Sequence, residues 1–576
     1  MIGTKNEFCH QEAKEELNKK DHQDDDVLET VLQHVGEMGR YQKWLFLAML
    51  PFGVIFAFVY FVQMFIAATP QRHWCRVPEL QHLDVVTRRN LSVPPSRAGD
   101  PFEWERCKTF DANWSQVLLT MQPPDPGTPS TPCLNGWEFE LGDIPYQTVV
   151  SERGWVCEFA SAGPTAQAIF FVGSFVGGLL FGWLADNFGR VPALVGTNLV
   201  GFVGGIASVF TTGLWDFALA RFLVGMSYDS CFMMMYILVL EYVGPRHRTW
   251  VANMSIALFF GSGCLVLPWL AVWIADWRNL LIVTSAPMLC AIAVPFLVPE
   301  SARWLSSRGR INQAVEVVRR FERVNGTKVP QDVIDEFVVA SRQTRETNES
   351  LLSVFRSPPL RNAMIFMVMV YMSCALIFDG LVRMSEGLGL DFFITFTLTS
   401  ATEIPSVTLL AMLLDRWGRR MLTCGPMLTA GILTLIAAFV PKGIPQVTLA
   451  IMARFCINMS YNAAIQWSTE LLPTGVRASG SSLVHVSGYV ATVMSPYIVY
   501  SQLIWSSLPL LILGVTAFVA AVFGMLLPET KGRPMPQTID DGERLVRQYS
   551  LCGYKNPDKE ETEMWQKNGN DKALIT

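Results

Sequence analysis

Gly182-Trp183-Leu184-Ala185-Asp186-Asn187-Phe188-Gly189-Arg190 closes one long apolar segment and stands just before the next. A close copy, Leu414-Asp415-Arg416-Trp417-Gly418-Arg419-Arg420, lies between two later apolar segments. The spacing from Asp186 to Asp415 (415 − 186) recurs elsewhere in the chain. Glu241 and Glu470 keep the same offset (470 − 241), with Arg248 and Arg477 close behind. So does Pro299-Glu300-Ser301 against Pro528-Glu529-Thr530 (529 − 300). Three matches at one spacing predict a duplicated unit. In membrane carriers, parallel repeats of this kind place a substrate site between the halves, near the bilayer midplane.

Composition puts the unit in a membrane. Hydrophobic residues are 51% of the chain and charged residues 16%, where a soluble chain carries about 25% charge. The apolar residues come in runs of about 20, enough to cross roughly 30 Å of hydrocarbon. Residues 1–40 are a polar tail with three consecutive aspartates, Asp24 to Asp26, and no signal-peptide pattern. The chain is therefore expected to begin in the cytosol. The net charge of −5 reflects tails and loops, and no nucleic-acid partner is expected.

Twelve spans are predicted, six on each side of a long polar loop. The first six are Trp44–Ala68, Ala166–Ala185, Pro192–Thr212, Trp215–Leu240, Val251–Ile274 and Leu280–Val298. The second six are Ala363–Leu381, Phe392–Leu414, Leu422–Val440, Val447–Trp467, Leu483–Tyr500 and Leu508–Leu527. The expected organisation is a tail (1–40), a first half (41–298) with an outer loop (69–163), an inter-half loop (299–360), a second half (361–530) and a second tail (531–576). Within the inter-half loop, Ile311 to Arg323 has a helical period.

Short-loop charge sets the orientation. The loops after the second, fourth, eighth and tenth spans carry Arg190; Arg246 and Arg248; Arg416, Arg419 and Arg420; and Arg477. The opposite side is nearly free of Lys and Arg, apart from Lys442 and Arg383. Positive short loops mark the cytosolic face, so both termini are expected inside and the outer loop outside. That loop holds Cys75, Cys107, Cys133 and Cys157 and two sequons, at Asn90 and Asn113. A disulfide-stapled, glycosylated cap at the plasma membrane is expected, with three possible pairings. Two further sequons, at Asn325 and Asn348, fall on the cytosolic side.

The Gly182–Arg190 stretch resembles the signature loop of the major facilitator superfamily. Pro299-Glu300-Ser301-Ala302-Arg303-Trp304-Leu305 is similar to a motif of sugar and organic-ion transporters. His73-Trp74-Cys75, Gly136-Trp137, Trp155-Val156-Cys157, the run from Glu470 to Arg477, and Leu527-Pro528-Glu529-Thr530-Lys531-Gly532 narrow it. Together, over residues 40 to 540, they resemble the organic cation and carnitine transporter family of polyspecific organic ion carriers. The match departs in two places. The outer loop has four cysteines where the family usually has six, and Asn187 and Val191 replace basic residues flanking the signature loop. The resemblance implies a carrier of small organic cations or amine-bearing zwitterions, working by alternating access as a single-chain unit.

Asp186, Arg190, Asp415 and Arg419, at the cytosolic ends of helices, are read as a charge latch that holds the outward-open state and is released as the halves rock, joined by Glu300, Arg303 and Glu529; the alternative is ordinary helix-end charges that anchor topology. Arg221 with Glu241, and Arg454 with Glu470, are assigned to the same cytosolic networks, since an unpaired membrane Arg is costly. For substrate, Glu403 in Thr402-Glu403-Ile404-Pro405 is the leading carboxylate; a charge at mid-membrane costs at least about 2.5–3.5 kcal/mol and marks function by default. Asp379 is either a second cation-attracting carboxylate or the i,i+4 partner of Arg383. Asp229 is similar and leans structural. The resemblance places Phe232, Tyr236, Tyr371 and Phe378 in an aromatic box around the cation, with Asn462 and Gln466 as hydrogen-bonding residues. It also makes Tyr489 notable, because relatives carry Asp (cation carriers) or Arg (anion and carnitine carriers) there. No base is then left to hold a carboxylate, which argues against carnitine-like zwitterions or organic anions as the cargo; a usual cation anchor is also missing, so charge selectivity is expected to fall on Glu403 and Asp379. His485, one turn away, titrates near neutrality and is read first as packing. A receptor or scaffold on a carrier fold is the alternative of another class. An enzyme is not expected: phosphate-loop, His-x-x-x-His and Gly-x-Ser-x-Gly patterns are all missing, and neither metal nor cofactor is predicted.

Overall fold

The computed structural model describes residues 29–95, 104–343, 351–533, 535–536, 538–547, 549–550 and 553–554. Among the described residues, eleven helices are long and apolar enough to cross a membrane: Arg40–Ile66, Cys157–Phe188, Arg190–Val209, Leu214–Leu240, Arg246–Ile274, Trp277–Leu297, Pro358–Glu386, Phe392–Trp417, Arg419–Phe439, Ser479–Leu503 and Leu508–Met525. A further helix, Ile444–Leu471, has 28 residues, about 42 Å of rise. It is less apolar than the others, with Arg454, Asn458, Ser460, Asn462 and Gln466 along its length. In chain order these are the first to twelfth spans, with Ile444–Leu471 the tenth. Each segment expected from the sequence falls on one of them.

The duplication holds at atomic scale. Glu300 accepts hydrogen bonds from the backbone N–H groups of Arg190 and Val191, both at 3.0 Å. Glu529 accepts from Arg419 and Arg420, at 3.0 and 3.1 Å. Each carboxylate thus caps the third helix of its half, satisfying orphan N–H groups and facing the positive end of the helix dipole. Gly189 (φ 112°) and Gly418 (φ 89°) precede those helices. An added Cβ at either would collide with the capping carboxylate, so the same requirement for glycine appears once in each half, at the repeat offset. Replacing Glu529 by Ala leaves two N–H groups uncapped, a cost of roughly 1–3 kcal/mol. The expected result is a melting temperature several degrees lower in detergent, with a matching fall for Glu300→Ala; an unchanged melting temperature in both would refute the cap.

The outer loop has its own small core of Val77, Leu80, Leu91 and Val117. Two antiparallel strand pairs, His73–Cys75 with Trp137–Phe139 and Lys108–Phe110 with Ser130–Pro132, frame it. Of the three pairings, the structure has Cys75–Cys133 and Cys107–Cys157, two interleaved closures that restrict the unfolded chain more than two local loops would. Asn90 and Asn113 are exposed. Asn325, in contrast, spends its amide on Val35 O, Gln42 Oε1 and Tyr41 N–H, so its sequon is structural. Asn348 lies outside the described residues.

Two tail assignments need correction. Residues 29–35 are helical and bury Val31, Leu32 and Val35 in the first half's core, because apolar residues recur there at helical spacing within the polar tail. Ile539–Arg547 in the second tail is also a helix, with Gly542 against Leu360 and Pro473.

Candidate substrate site

Three spans lose regular helix at one level between the halves. The fourth breaks at Tyr228–Asp229, between helices Leu214–Ser227 and Ser230–Leu240. The fifth contains a π-helical turn, Ile256–Phe260. The eighth breaks at Thr402, between Phe392–Ala401 and Glu403–Trp417, where Pro405 has no N–H to give the preceding turn. The fifth and eighth touch there: a Cβ on Gly261 would stand 3.3 Å from Ile404 Cγ1. Irregular backbone at membrane depth survives where protein buries it or a cavity is lined.

The ion pairs at this level single out one carboxylate. Glu403, the leading candidate from sequence, is 2% exposed and bound to Arg454 Nη2 at 2.5 Å. Asn458 Nδ2 donates to its other oxygen and to Ser406 Oγ. Arg454 also lies over the Phe378 ring, 3.3 Å from its centroid. This corrects two assignments. Glu403 is not a free anchor, and Arg454 is not in the end network of Glu470. Between those two, more than four turns of one helix intervene, about 24 Å of rise, beyond any shared contact. Asp379 adopts its pairing alternative: Arg383 Nε donates to it at 2.6 Å and Tyr60 Oη at 2.8 Å. Asp229 is different. Its ion partner among the described residues is His485, Nε2 to Oδ2 at 3.2 Å. Asp229 and His485 side chains are 15% and 21% exposed, against 1% for Asp379 and 3% for Glu403. The residue the sequence leaned toward calling structural is thus the reachable carboxylate.

Rings from both halves gather about its neighbours, Tyr228 and His485. Phe56 stacks on Tyr228 and Phe232, with centroids 5.2 and 5.6 Å apart, and Phe232 meets Tyr236. Tyr228 crosses to Tyr489 at 5.8 Å. In the second half Tyr461 stacks on Tyr371 and Phe378. The four rings expected to box a cation thus lie in two groups, Phe232 with Tyr236 in the first half and Tyr371 with Phe378, joined by Tyr461, in the second. Sequence reasoning missed Phe56, Tyr60, Tyr228 and Tyr461; a signal for Tyr228 was its place beside Asp229. His485 is more than packing, since it faces Asp229 and both Tyr371 and Tyr489. Asn462 turns to its own helix, donating to Asn458 O and Oδ1, and so is not brought to the box. Gln466 instead reaches Asn253 across the halves at 3.3 Å.

The expected latch residues form two clusters, each within one half. Arg190 lies 3.7 Å from Asp186 and 3.6 Å from Glu241. Arg419 lies 3.2 Å from Asp415 and 2.9 Å from Glu470. Arg303 sits in the short helix Ala302–Ser307 just after Glu300. In this state, among the described residues, none of the ion pairs of Asp186, Arg190, Asp415 or Arg419 bridges the halves. In this state they brace helix ends locally. Arg221 also leaves the network. Too far along the fourth span from Glu241 to share its contacts, it lies over Phe170, buried, with Nε and Nη2 lacking hydrogen-bond partners. Cross-half contacts lie elsewhere. At the loop end they are Tyr60–Asp379, Thr69 N–H to Glu386 (2.8 Å) and Tyr497–Thr165 (3.2 Å). At the opposite end Gln466 meets Asn253. Both ends touch.

Residues 163–538 match the family model described as sugar (and other) transporter. The chain is 30% identical over 558 residues to the beta-alanine transporter of Drosophila melanogaster, covering 91% of this chain and 90% of that one. It is 30% identical over 549 residues to solute carrier family 22 member 3 of Rattus norvegicus, covering 92% and 98%. It is 29% identical over 533 residues to the organic cation transporter protein of Drosophila melanogaster, covering 89% and 94%. Among solved structures, the proton:xylose symporter XylE superposes with a TM-score of 0.56 at 16% identity, covering 88% of this chain and 99% of that one; this likeness concerns the fold.

Proposed function

This chain belongs to the sugar (and other) transporter family of the major facilitator superfamily, among its organic cation and carnitine carriers, and from that premise we propose that it moves small organic cations or amine-bearing zwitterions across the plasma membrane. The observation that carries the substrate reading is Asp229: a reachable carboxylate with a titratable partner, set among aromatic faces from both halves. Cation–π attraction adds about 0.5–2 kcal/mol per ring and suits quaternary or protonated amines. Relatives named for organic cations and for β-alanine support the same class. Alternating access then consists of breaking the Tyr60, Thr69 and Thr165 contacts at one end or the Asn253–Gln466 contact at the other. One chain forms the transport unit. Its disulfide-bonded loop faces outside and its arginine-rich short loops face the cytosol.

Arg221 supports a second reading within the class. A buried guanidinium with unfilled donors suits a substrate carboxylate. Phe170, whose ring Arg221 lies over, is 5.6 Å from Tyr228 at the box. The test is uptake of a quaternary ammonium, a β-amino acid and a simple carboxylate anion by cells expressing the chain. Cation uptake with little anion uptake is expected. β-Amino acid uptake lost in Arg221→Met, with cation uptake kept, would favour the zwitterion. Uptake of none of the three would leave the receptor alternative.

A further inference from the structure

Both ring nitrogens of His485 are engaged. Nδ1 lies 2.9 Å from Tyr371 Oη. Nε2 lies 2.9 Å from Tyr489 Oη and 3.2 Å from Asp229 Oδ2. Tyr371 Oη is in turn 2.9 Å from Tyr461 Oη. Two proton arrangements satisfy this chain. With His485 neutral, Nε2–H donates to Asp229, Nδ1 accepts from Tyr371, and Tyr371 accepts from Tyr461. With His485 protonated, Nδ1–H donates to Tyr371, which donates to Tyr461. Passing between them turns two hydroxyls and moves no heavy atom, so a proton can come and go without repacking.

The surroundings confine that proton's effect to Asp229. The titratable groups around His485 are Asp229 and Tyr228 from the fourth span, Tyr371 from the seventh, Tyr461 from the tenth and Tyr489 from its own, with Tyr60 of the first span behind Tyr228. The second span brings Gly178 against Val486 and Tyr489. The two other carboxylates at this depth, Asp379 and Glu403, are held by arginines. His485 and Asp229 also come from opposite halves, so the pair stands where the halves meet.

We propose that the carrier exchanges organic cation for proton, with the His485 imidazolium and the substrate ammonium alternating as the counter-ion of Asp229. The proposal rests on Asp229 being the cation site. An ammonium arriving from one side displaces the imidazolium. His485 releases one proton to water on that side, and no bond in the substrate changes. After the halves rock, the cation leaves on the other side and a proton from there restores the imidazolium. One monovalent cation moves against one proton, and the exchange is electroneutral.

The experiment uses the full chain in proteoliposomes with labelled tetraethylammonium, whose charge does not depend on pH. At zero membrane potential, an inside-acid gradient of one pH unit is expected to accumulate the cation about tenfold. Adding tetraethylammonium outside should alkalinise the lumen, read by a trapped pH dye, and voltage alone should not drive uptake. His485→Gln should lose the pH drive and become voltage-driven. Wild-type uptake that follows voltage, ignores the pH gradient and leaves lumenal pH unchanged overturns the proposal. Should His485→Gln fail to fold, the wild-type lumenal pH decides alone. Asp229→Asn in the same vesicles separates the two readings. If it abolishes a purely voltage-driven uptake, the cation site stands and the exchange falls. Uptake indifferent to Asp229, or no uptake above protein-free vesicles, overturns both.

Discussion

Asp229→Asn is expected to lower cation uptake, as kcat/KM, by about a hundredfold or more while the protein still reaches the membrane. The change keeps the shape of the side chain and removes the carboxylate at the box whose ion partner, among the described residues, is a histidine and not an arginine. Removing one partner of a buried charged contact costs about 3–5 kcal/mol. Here the partner left unpaired is the substrate, so the loss falls on transport. Folding should be spared, because His485 can stand neutral beside an amide and keep its tyrosine contacts. The measurement is initial uptake over a range of substrate concentrations, normalised to surface protein. Asp229→Asn uptake within a few-fold of wild type would remove Asp229 as the cation anchor.

The second large effect is expected at Glu403 and Arg454, and it should appear in folding. Glu403→Gln leaves Arg454, 1% exposed, without its counter-charge, a penalty of about 3–5 kcal/mol. Arg454→Met leaves the carboxylate in the same position. Both single variants should express poorly and melt early. The double variant, with neither charge, should recover much of the loss, since the desolvation cost disappears together with the attraction. A double variant that folds and still takes up cations assigns the pair to structure. One that folds and carries nothing returns Glu403 to the substrate site. Loss of uptake in Glu403→Gln alone cannot make that distinction, because an unpaired Arg454 produces the same loss.

The fold was legible in the sequence because its determinants are local or periodic. Runs of about 20 apolar residues set the spans. The offset shared by Asp186 and Asp415 set the two halves, and Glu300 and Glu529 then capped equivalent helices as that offset required. The aromatic cluster was half legible: Phe232, Tyr236, Tyr371 and Phe378 came from the family resemblance, while Phe56 and Tyr461 carry no motif. Charge pairing was the part the sequence could not assign. Arg454 and Glu403 are 51 residues apart, and Asp229 and His485 lie in different halves. Which acid meets which base depends on how spans are rotated and where their helices break, at Tyr228–Asp229 and at Thr402. Rise per residue alone excludes Arg454 with Glu470 and Arg221 with Glu241, which the sequence could have shown. By itself, then, the sequence determined a twelve-span duplicated carrier with a stapled loop, because hydrophobic length and repeat spacing survive without coordinates. Only the tertiary structure decided that Asp229, rather than Glu403, is the open carboxylate, because a buried ion's role depends on what lies within about 4 Å of it.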